Sequence, residues 1–428
     1  MISIKEFLQT EVKPALGCTE PVCIALTCAH AASLIPDRIV DEIELTLSPG
    51  LYKNAKGVFL PGTSGERGIY MAAALGAVSG DPKKDLEVLS PTSKKDLDLA
   101  RNLVSLNRVL VLIDEDRDGI YCYAKIKGGP NIAEAIISGL HNNLISLKLN
   151  GKEVLSKNKT CVSEMKHDEL TIIDQLKKTP CDELFDLLDG LSSEDLDFLK
   201  KGVEMNVALA MEGINGKWGY NVCAMFSDDK RSDMADLETE IKKYVVAAVD
   251  ARMGGCPYPA MSSAGSGNNG IVATIPLWVV KSHLKIPDKD FLKAICLSHL
   301  FTSKLKSHMG RITPFCSCGL SSGGAVAASI SFLMTKDKEL AKKAVNNHLT
   351  SMFGILCDGA KAGCSLKVLM AISSALNSIS LAKKGISLTR YDGICGHTLD
   401  ETLKNIELLS KDAYAGMDTE LLKIISKK

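Results

Sequence analysis

Apolar positions change their period near the middle of the chain. Helical spacing runs from Thr19 to Ala32. Strand-like runs follow at Glu42–Ser48, Val109–Ile113, Ile120–Lys127 and Leu144–Lys148. Between the first two lies the turn-rich Pro61–Gly68, which leads into a helix of small residues, Ile69–Val78. Lys157–Lys201 is polar and acidic, and its DELFDLLDGLSSEDLDFLKKG reads as one or two amphipathic helices. From about Val203 strand signals vanish, and helices rich in Ala, Gly and Ser alternate with Gly-rich loops. No internal repeat or low-complexity tract interrupts this. The pattern predicts an α+β protein: an N-terminal mixed α/β domain over 1–155, a helical connecting segment over 156–202, and a mostly α-helical domain over 203–428.

Composition narrows the function. With 51 Lys+Arg against 51 Asp+Glu the net charge is zero, so no global field favours nucleic acid or an anionic membrane face. The 46% hydrophobic and 24% charged shares are those of a globular chain. Only 5% of residues are aromatic, which suits helices packed through small side chains. The N-terminus MISIKEFLQTEVKP lacks a signal-peptide pattern, and the apolar runs Ile24–Ile35 and Ile271–Val280 fall short of a membrane span. A cytoplasmic protein without nucleic-acid or membrane partners is expected. Thiols stay reduced in that compartment, so the 14 cysteines are read as core residues, metal ligands or catalytic groups rather than disulfides. Cys122, Cys161, Cys181, Cys223, Cys256 and Cys296 receive no role, and Cys23 and Cys28 read as core.

Three cysteine sites stand out. Cys18, in ALGCTEPVCIAL, precedes a helix for which Thr19 is a natural N-cap, and a helix N-terminus favours a thiolate. RITPFCSCG carries Cys316 and Cys318, and CDGAKAGC carries Cys357 and Cys364. Both stand ahead of apolar helices, Ala325–Met334 and Ser365–Leu381. Thiolates hold iron–sulfur clusters, and nearby glycines let backbone approach a bulky group. A compact CxxC pair, the stronger sign of zinc, is missing. Ser262–Gly270 (SSAGSGNNG) opens another apolar helix, and its N–H groups, Ser and Asn side chains form a pocket for a carboxylate or phosphate. Pro61–Gly68 is a second such loop. Lys306 and Arg311 flank the second cysteine site, and a buried Lys or His is a candidate proton acceptor.

Together these motifs resemble the iron–sulfur L-cysteine desulfidases, relatives of the iron–sulfur L-serine dehydratase α-domain. The match runs through GCTEP at Gly17–Pro21, PGT at Pro61–Thr63, ALGAVSGDP at Ala74–Pro82 and DARMGG at Asp250–Gly255. It continues through SAGSGNNGI at Ser263–Ile271, GR…CSC at Gly310–Cys318 and CDGAKAGC, spanning almost the whole chain in register. Ser64–Arg67 is more charged than the family pattern. The resemblance implies elimination of L-cysteine to pyruvate, ammonia and sulfide without PLP, using a [4Fe–4S] cluster with one open iron. It carries the cluster ligands onto Cys18, Cys316 and Cys357, with Cys318 and Cys364 as substitutes or supporting groups. Cys316 is preferred because the helix after it (AVAAS) aligns best with dehydratase relatives in that register. The substrate carboxylate is expected at Ser263, Gly265, Ser266, Gly267, Asn268 and Asn269, helped by Thr63. Lys306 or His141 is the expected base for the Cα proton.

Other classes compete with this reading. An L-serine dehydratase would use the same fold and cluster, although GCTEP ahead of the first strand favours the desulfidase. A non-catalytic iron–sulfur sensor or carrier fits the substrate-like Gly/Ser/Asn loop less well, and a zinc-stabilised structural protein is a further possibility. The partner implied is a small amino acid. A homodimer is a candidate state, since small-residue helices pack equally within one chain or between two.

Overall fold

Alternating side chains build the sheet that the N-terminal half needs. In the computed structural model, which describes residues 2–63, 65–156, 167–226 and 233–427, the strands are β1 (Pro14–Ala15), β2 (Glu42–Leu47), β3 (Val109–Ile113), β4 (Tyr121–Gly128), β5 (Asn131–Ser138), β6 (Leu144–Leu149), β7 (Lys152–Ser156) and β8 (Ala260–Met261). Cys161 and Ser64 lie outside the described residues. The main sheet has the order β3-β2-β4-β5-β6-β7, with β2 and β3 parallel and the other pairs antiparallel. Ile43, Leu45 and Leu47 of β2, Ala124 and Ile126 of β4, and Ala133, Ala135 and Ile137 of β5 are buried. Across β2 and β4 the intervening residues instead form ion pairs, Lys127–Glu42 at 2.8 Å and Lys125–Glu44 at 3.6 Å. Strands β5 and β7 carry no strong sequence signal: the inward side of β5 is mostly alanine, a poor strand former.

The helices of this half are α1 (Ile4–Glu11), α2 (Thr19–Ala32), α3 (Pro49–Ala55), α4 (Gly68–Ser79) and α5 (Lys94–Ser105). Helices α2, α4 and α5 share one hydrophobic core with the sheet. A second core takes in α6 (His167–Lys178), α7 (Glu183–Asp186), α8 (Ser193–Asn215), α9 (Asp233–Met253), α10 (Gly267–Leu284), α11 (Asp288–Ser307), α12 (Gly323–Thr335), α13 (Lys338–Met352), α14 (Cys364–Lys383) and α15 (Leu399–Asp412). The last helix is α16 (Met417–Ile425). The architecture is α+β and 59% helical.

The cores do not follow chain order. Phe7, Leu8 and Cys18 precede the sheet in the chain yet bury themselves in the helical core. Ile172, Leu176, Cys181 and Leu184 do the same, and α8 runs unbroken through residue 202. Pairing of β1 with β8 ties residues 14–15 to the approach to α10. Among the described residues, Cys318–Thr335 and Cys364–Lys383 are long and apolar enough to cross a membrane, and they are 83% and 44% buried within the chain. They extend the two apolar helices that the sequence marks, Ala325–Met334 and Ser365–Leu381.

Candidate active site

Backbone turns bring five cysteines to one cavity. Gly17 has φ +73°, and a Cβ there would meet Pro61 Cγ at 2.5 Å, so only glycine lets the chain turn against Pro61 into α2. Cys18 is the N-cap of that helix, and the expected cap, Thr19, is its first residue. Phe315 and Leu356 form an antiparallel bridge. The Cys316 N–H donates to Ile355 O (2.8 Å) and the Cys357 N–H to Pro314 O (2.6 Å), which fixes these two cysteines side by side. Cys318 opens a π-helical turn, Cys318–Ser322, whose Gly319 carbonyl is met by His348 Nε2 at 2.9 Å. Such turns concentrate at functional sites. Cys364 is the first residue of α14. Cys18, Cys316, Cys318, Cys357 and Cys364 all line the cavity.

Their environments differ. Burial pushes the Cys18 thiol up to about 11 despite the Arg252 charge, so the helix terminus does not by itself yield the thiolate expected from sequence. Cys318 Sγ lies 3.4 Å from Cys316 Sγ, and a hydrogen bond from Cys318 would hold the Cys316 thiol below its ordinary value against burial. Lys367, also on the wall, donates to Leu356 O at 2.5 Å and pairs with Asp358.

The facing wall is polar. Residues 263–266 form a tight turn with Ala264 at φ +50° and Gly265 at φ +74°, and α10 starts at once with no side-chain cap. The free N–H groups of that helix start are available to an anion. Gly265, Ser266 and Asn268 line the cavity. Lys306 Nζ donates to Ala264 O at 2.7 Å. Arg311 grips Glu11 through two contacts, at 2.5 and 3.2 Å. His141 lines the cavity with Nε2 buried and unpartnered, 4.0 Å from Glu20 Oε1. Burial lowers the His141 imidazole to about 4 and the Lys306 ammonium to about 8.

Four residues expected to contact substrate do not line the cavity with their side chains. Thr63 Oγ1 donates to Leu60 O at 2.7 Å within its own loop, and no described residue of Pro61–Gly68 lies on the wall. Ser263 Oγ faces His299 Nδ1 at 3.0 Å, and Asn269 Nδ2 donates to Ser317 Oγ at 3.2 Å. Gly267 serves by lacking a side chain: a Cβ would lie 2.3 Å from Arg252 Nε. Arg252 itself donates to Gly17 O (2.6 Å) and Asn268 Oδ1 (2.8 Å), locking the Cys18 turn to α10. Gly267→Ala is therefore expected to expel Arg252 and cost about 2–4 kcal/mol, as for loss of a buried hydrogen-bond network. A denaturant midpoint matching the parent protein would contradict that.

Sequence reasoning passed over Glu20, Asn54 and Lys367. Lys367 carried a signal, since it stands three residues after Cys364 on the same helix face. Asn54 carried none, because only folding brings α3 to the thiols.

The profile of the serine dehydratase alpha chain family matches residues 150–423. The chain belongs to that family. Full-length relatives include a UPF0597 protein of Desulforapulum autotrophicum, 37% identical over 100% of this chain and 98% of its own. Others are UPF0597 proteins of Desulfotalea psychrophila (36%, covering 100% and 98%) and Geobacter sulfurreducens (35%, covering 99% and 98%). Serine dehydratase alpha chains are lyase-type enzymes that depend on an iron–sulfur cluster. The donors of this cavity suit that cofactor: five soft thiols, with Arg252, Lys306 and Lys367 near them to offset thiolate charge. Among the described residues, no three Cys, His, Asp or Glu side chains converge on the point that a single tetrahedral ion would need.

Proposed function

We propose that the protein is an L-cysteine desulfidase, eliminating sulfide from L-cysteine to leave pyruvate and ammonia without PLP. The observation that carries this reading is the thiol-lined cavity with a carboxylate-binding helix start and a buried lysine on its other wall. Cys18, Cys316 and Cys357 would hold a [4Fe–4S] cluster, with Cys318 and Cys364 beside them. When bound, that cluster supplies an open iron, a Lewis acid suited to a sulfide leaving group. The chain does the rest. The turn at Gly265, the Ser266 and Asn268 groups and the start of α10 receive the substrate carboxylate. Lys306, held at Ala264 O, takes the Cα proton. Released aminoacrylate tautomerises and hydrolyses in water without further help.

The family name favours a second reading, an L-serine dehydratase using the same groups. Anaerobically prepared protein is expected to release sulfide from L-cysteine at a kcat/KM at least about tenfold above that for pyruvate from L-serine, a difference of roughly 1.4 kcal/mol. The reverse order assigns the dehydratase. Exposure to air should abolish the activity and bleach the brown colour together, and protein still fully active after prolonged aeration would refute an open iron site.

A further inference from the structure

Among the described residues, Glu20 is the one carboxylate on a cavity wall that otherwise carries Lys306, Arg311, Arg252 and Lys367. Among the described residues no Lys or Arg forms an ion pair with it. Oε1 accepts from Asn54 Nδ2 at 3.1 Å and Oε2 from the Thr19 hydroxyl at 3.2 Å. Both donors are neutral. Among the described residues the one cationisable neighbour within 4.0 Å is His141, which burial keeps neutral at ordinary pH. The cations opposite have other contact partners: Arg311 has Glu11, Arg252 has Gly17 O and Asn268, and Lys306, which feels the Glu20 charge without touching it, has Ala264 O. A largely buried carboxylate facing an unpartnered imidazole nitrogen, with no cation in direct contact among the described residues, leaves a place for one.

The anchors of Glu20 fix where that place lies. The single Thr19 hydroxyl hydrogen is shared between Glu20 Oε2 and Gly265 O, each at 3.2 Å, which places the carboxylate beside the carboxylate-binding turn. Asn54 Oδ1 stands 3.9 Å from Cys357 Sγ, so its other anchor reaches the thiol wall. Glu20 thus lies between the part of the cavity that suits an α-carboxylate and the part that suits a leaving group. In an α-amino acid the ammonium is carried on Cα, the carbon that joins the carboxylate to the CH2 bearing the leaving group.

We propose that Glu20, oriented by Asn54 and Thr19, is the ammonium subsite of this cavity, binding the α-ammonium of the substrate zwitterion and selecting 2-amino acids over 2-hydroxy acids. The proposal rests on the desulfidase reading for its substrate class, although either elimination, of sulfide or of water, would use the subsite alike. Asn54 and Thr19 act as positioning residues, keeping both oxygens of Glu20 turned toward the cavity.

The test uses ligands that cannot react. L-Alanine and L-lactate differ in the ammonium group and both lack a leaving group. Their binding to the anaerobic cluster-loaded protein, and separately to the cluster-free chain, is measured by calorimetry. The parent protein should prefer L-alanine, and Glu20→Gln, which keeps the shape and one acceptor oxygen for Asn54 but carries no charge, should bind L-alanine about 10- to 100-fold more weakly. L-Lactate binding should change less than about threefold, which also reports that the pocket is intact. Glu20→Asp, which keeps the charge, should recover part of the preference. If Glu20→Gln keeps the full preference for L-alanine, the ammonium subsite lies elsewhere and the proposal falls, with the desulfidase reading untouched. If the parent protein binds neither L-alanine nor L-cysteine, that reading falls and takes the subsite with it.

Discussion

Single replacement of Cys316 or Cys357 by alanine is expected to strip bound iron and lower sulfide release by more than about a hundredfold, roughly 2.7 kcal/mol in activation free energy. The backbone explains why these two should fail together. Each donates its N–H across the Phe315–Leu356 bridge, so the two thiols are presented from one hydrogen-bonded pair of backbone segments rather than from separate loops. A ligand held that way is not replaced by a neighbour shifting into its position. Cys18→Ala tests the third ligand from the other side of the cavity, where Gly17 and Arg252 set its direction. Cys318→Ala and Cys364→Ala are the controls. Cys318 Sγ lies 3.4 Å from Cys316 Sγ, so its loss is expected to weaken iron binding by about 10- to 100-fold, as removing a group that orients a metal ligand does. Iron and acid-labile sulfide content, measured anaerobically, read these outcomes directly. Full iron in all of the Cys18, Cys316 and Cys357 variants would overturn the ligand set.

Local signals explain how much of this was legible in the sequence. Helix α2 and strand β3 fall on the residues that periodicity marks, Thr19–Ala32 and Val109–Ile113, because each is decided by its own pattern of burial. The cysteine sites were visible for the same reason, as short motifs ahead of apolar helices. Side-chain direction was not. Thr63, Ser263 and Asn269 have the right chemistry at the right place in the motif, yet each spends it on the backbone or on a buried neighbour. Glu20 sat unremarked inside GCTEP, because a carboxylate has meaning there only once α3 brings Asn54 beside it. The thiolate expected at Cys18 failed on magnitude: a helix terminus contributes about 0.3–1 kcal/mol, less than the burial that raises this thiol to about 11.

Lys306→Gln is expected to lower kcat by about 10²- to 10⁴-fold, the usual contribution of a positioned general base. Burial and the Arg311 charge bring the Lys306 ammonium down to about 8, against the opposing pull of Glu20 and Glu11. Its base form is therefore the minor one at pH 7 and the major one above 8. If it removes the Cα proton, the rate should rise about tenfold per pH unit below 8 and level above it, since protonation of the base is what is being relieved. His141, lowered to about 4, would instead give a rate already level from pH 6 to 9. L-Cysteine complicates the comparison because a free thiol titrates at about 8.5. Exchange of the Cα proton of L-alanine in D2O, followed by NMR, removes that complication because L-alanine has no thiol. The limb near 8 should appear there and vanish in Lys306→Gln, while L-alanine binding stays within about threefold because glutamine can still donate to Ala264 O. A profile flat across pH 6–9 would instead assign the proton to His141, whose Nε2 already faces the cavity without a partner.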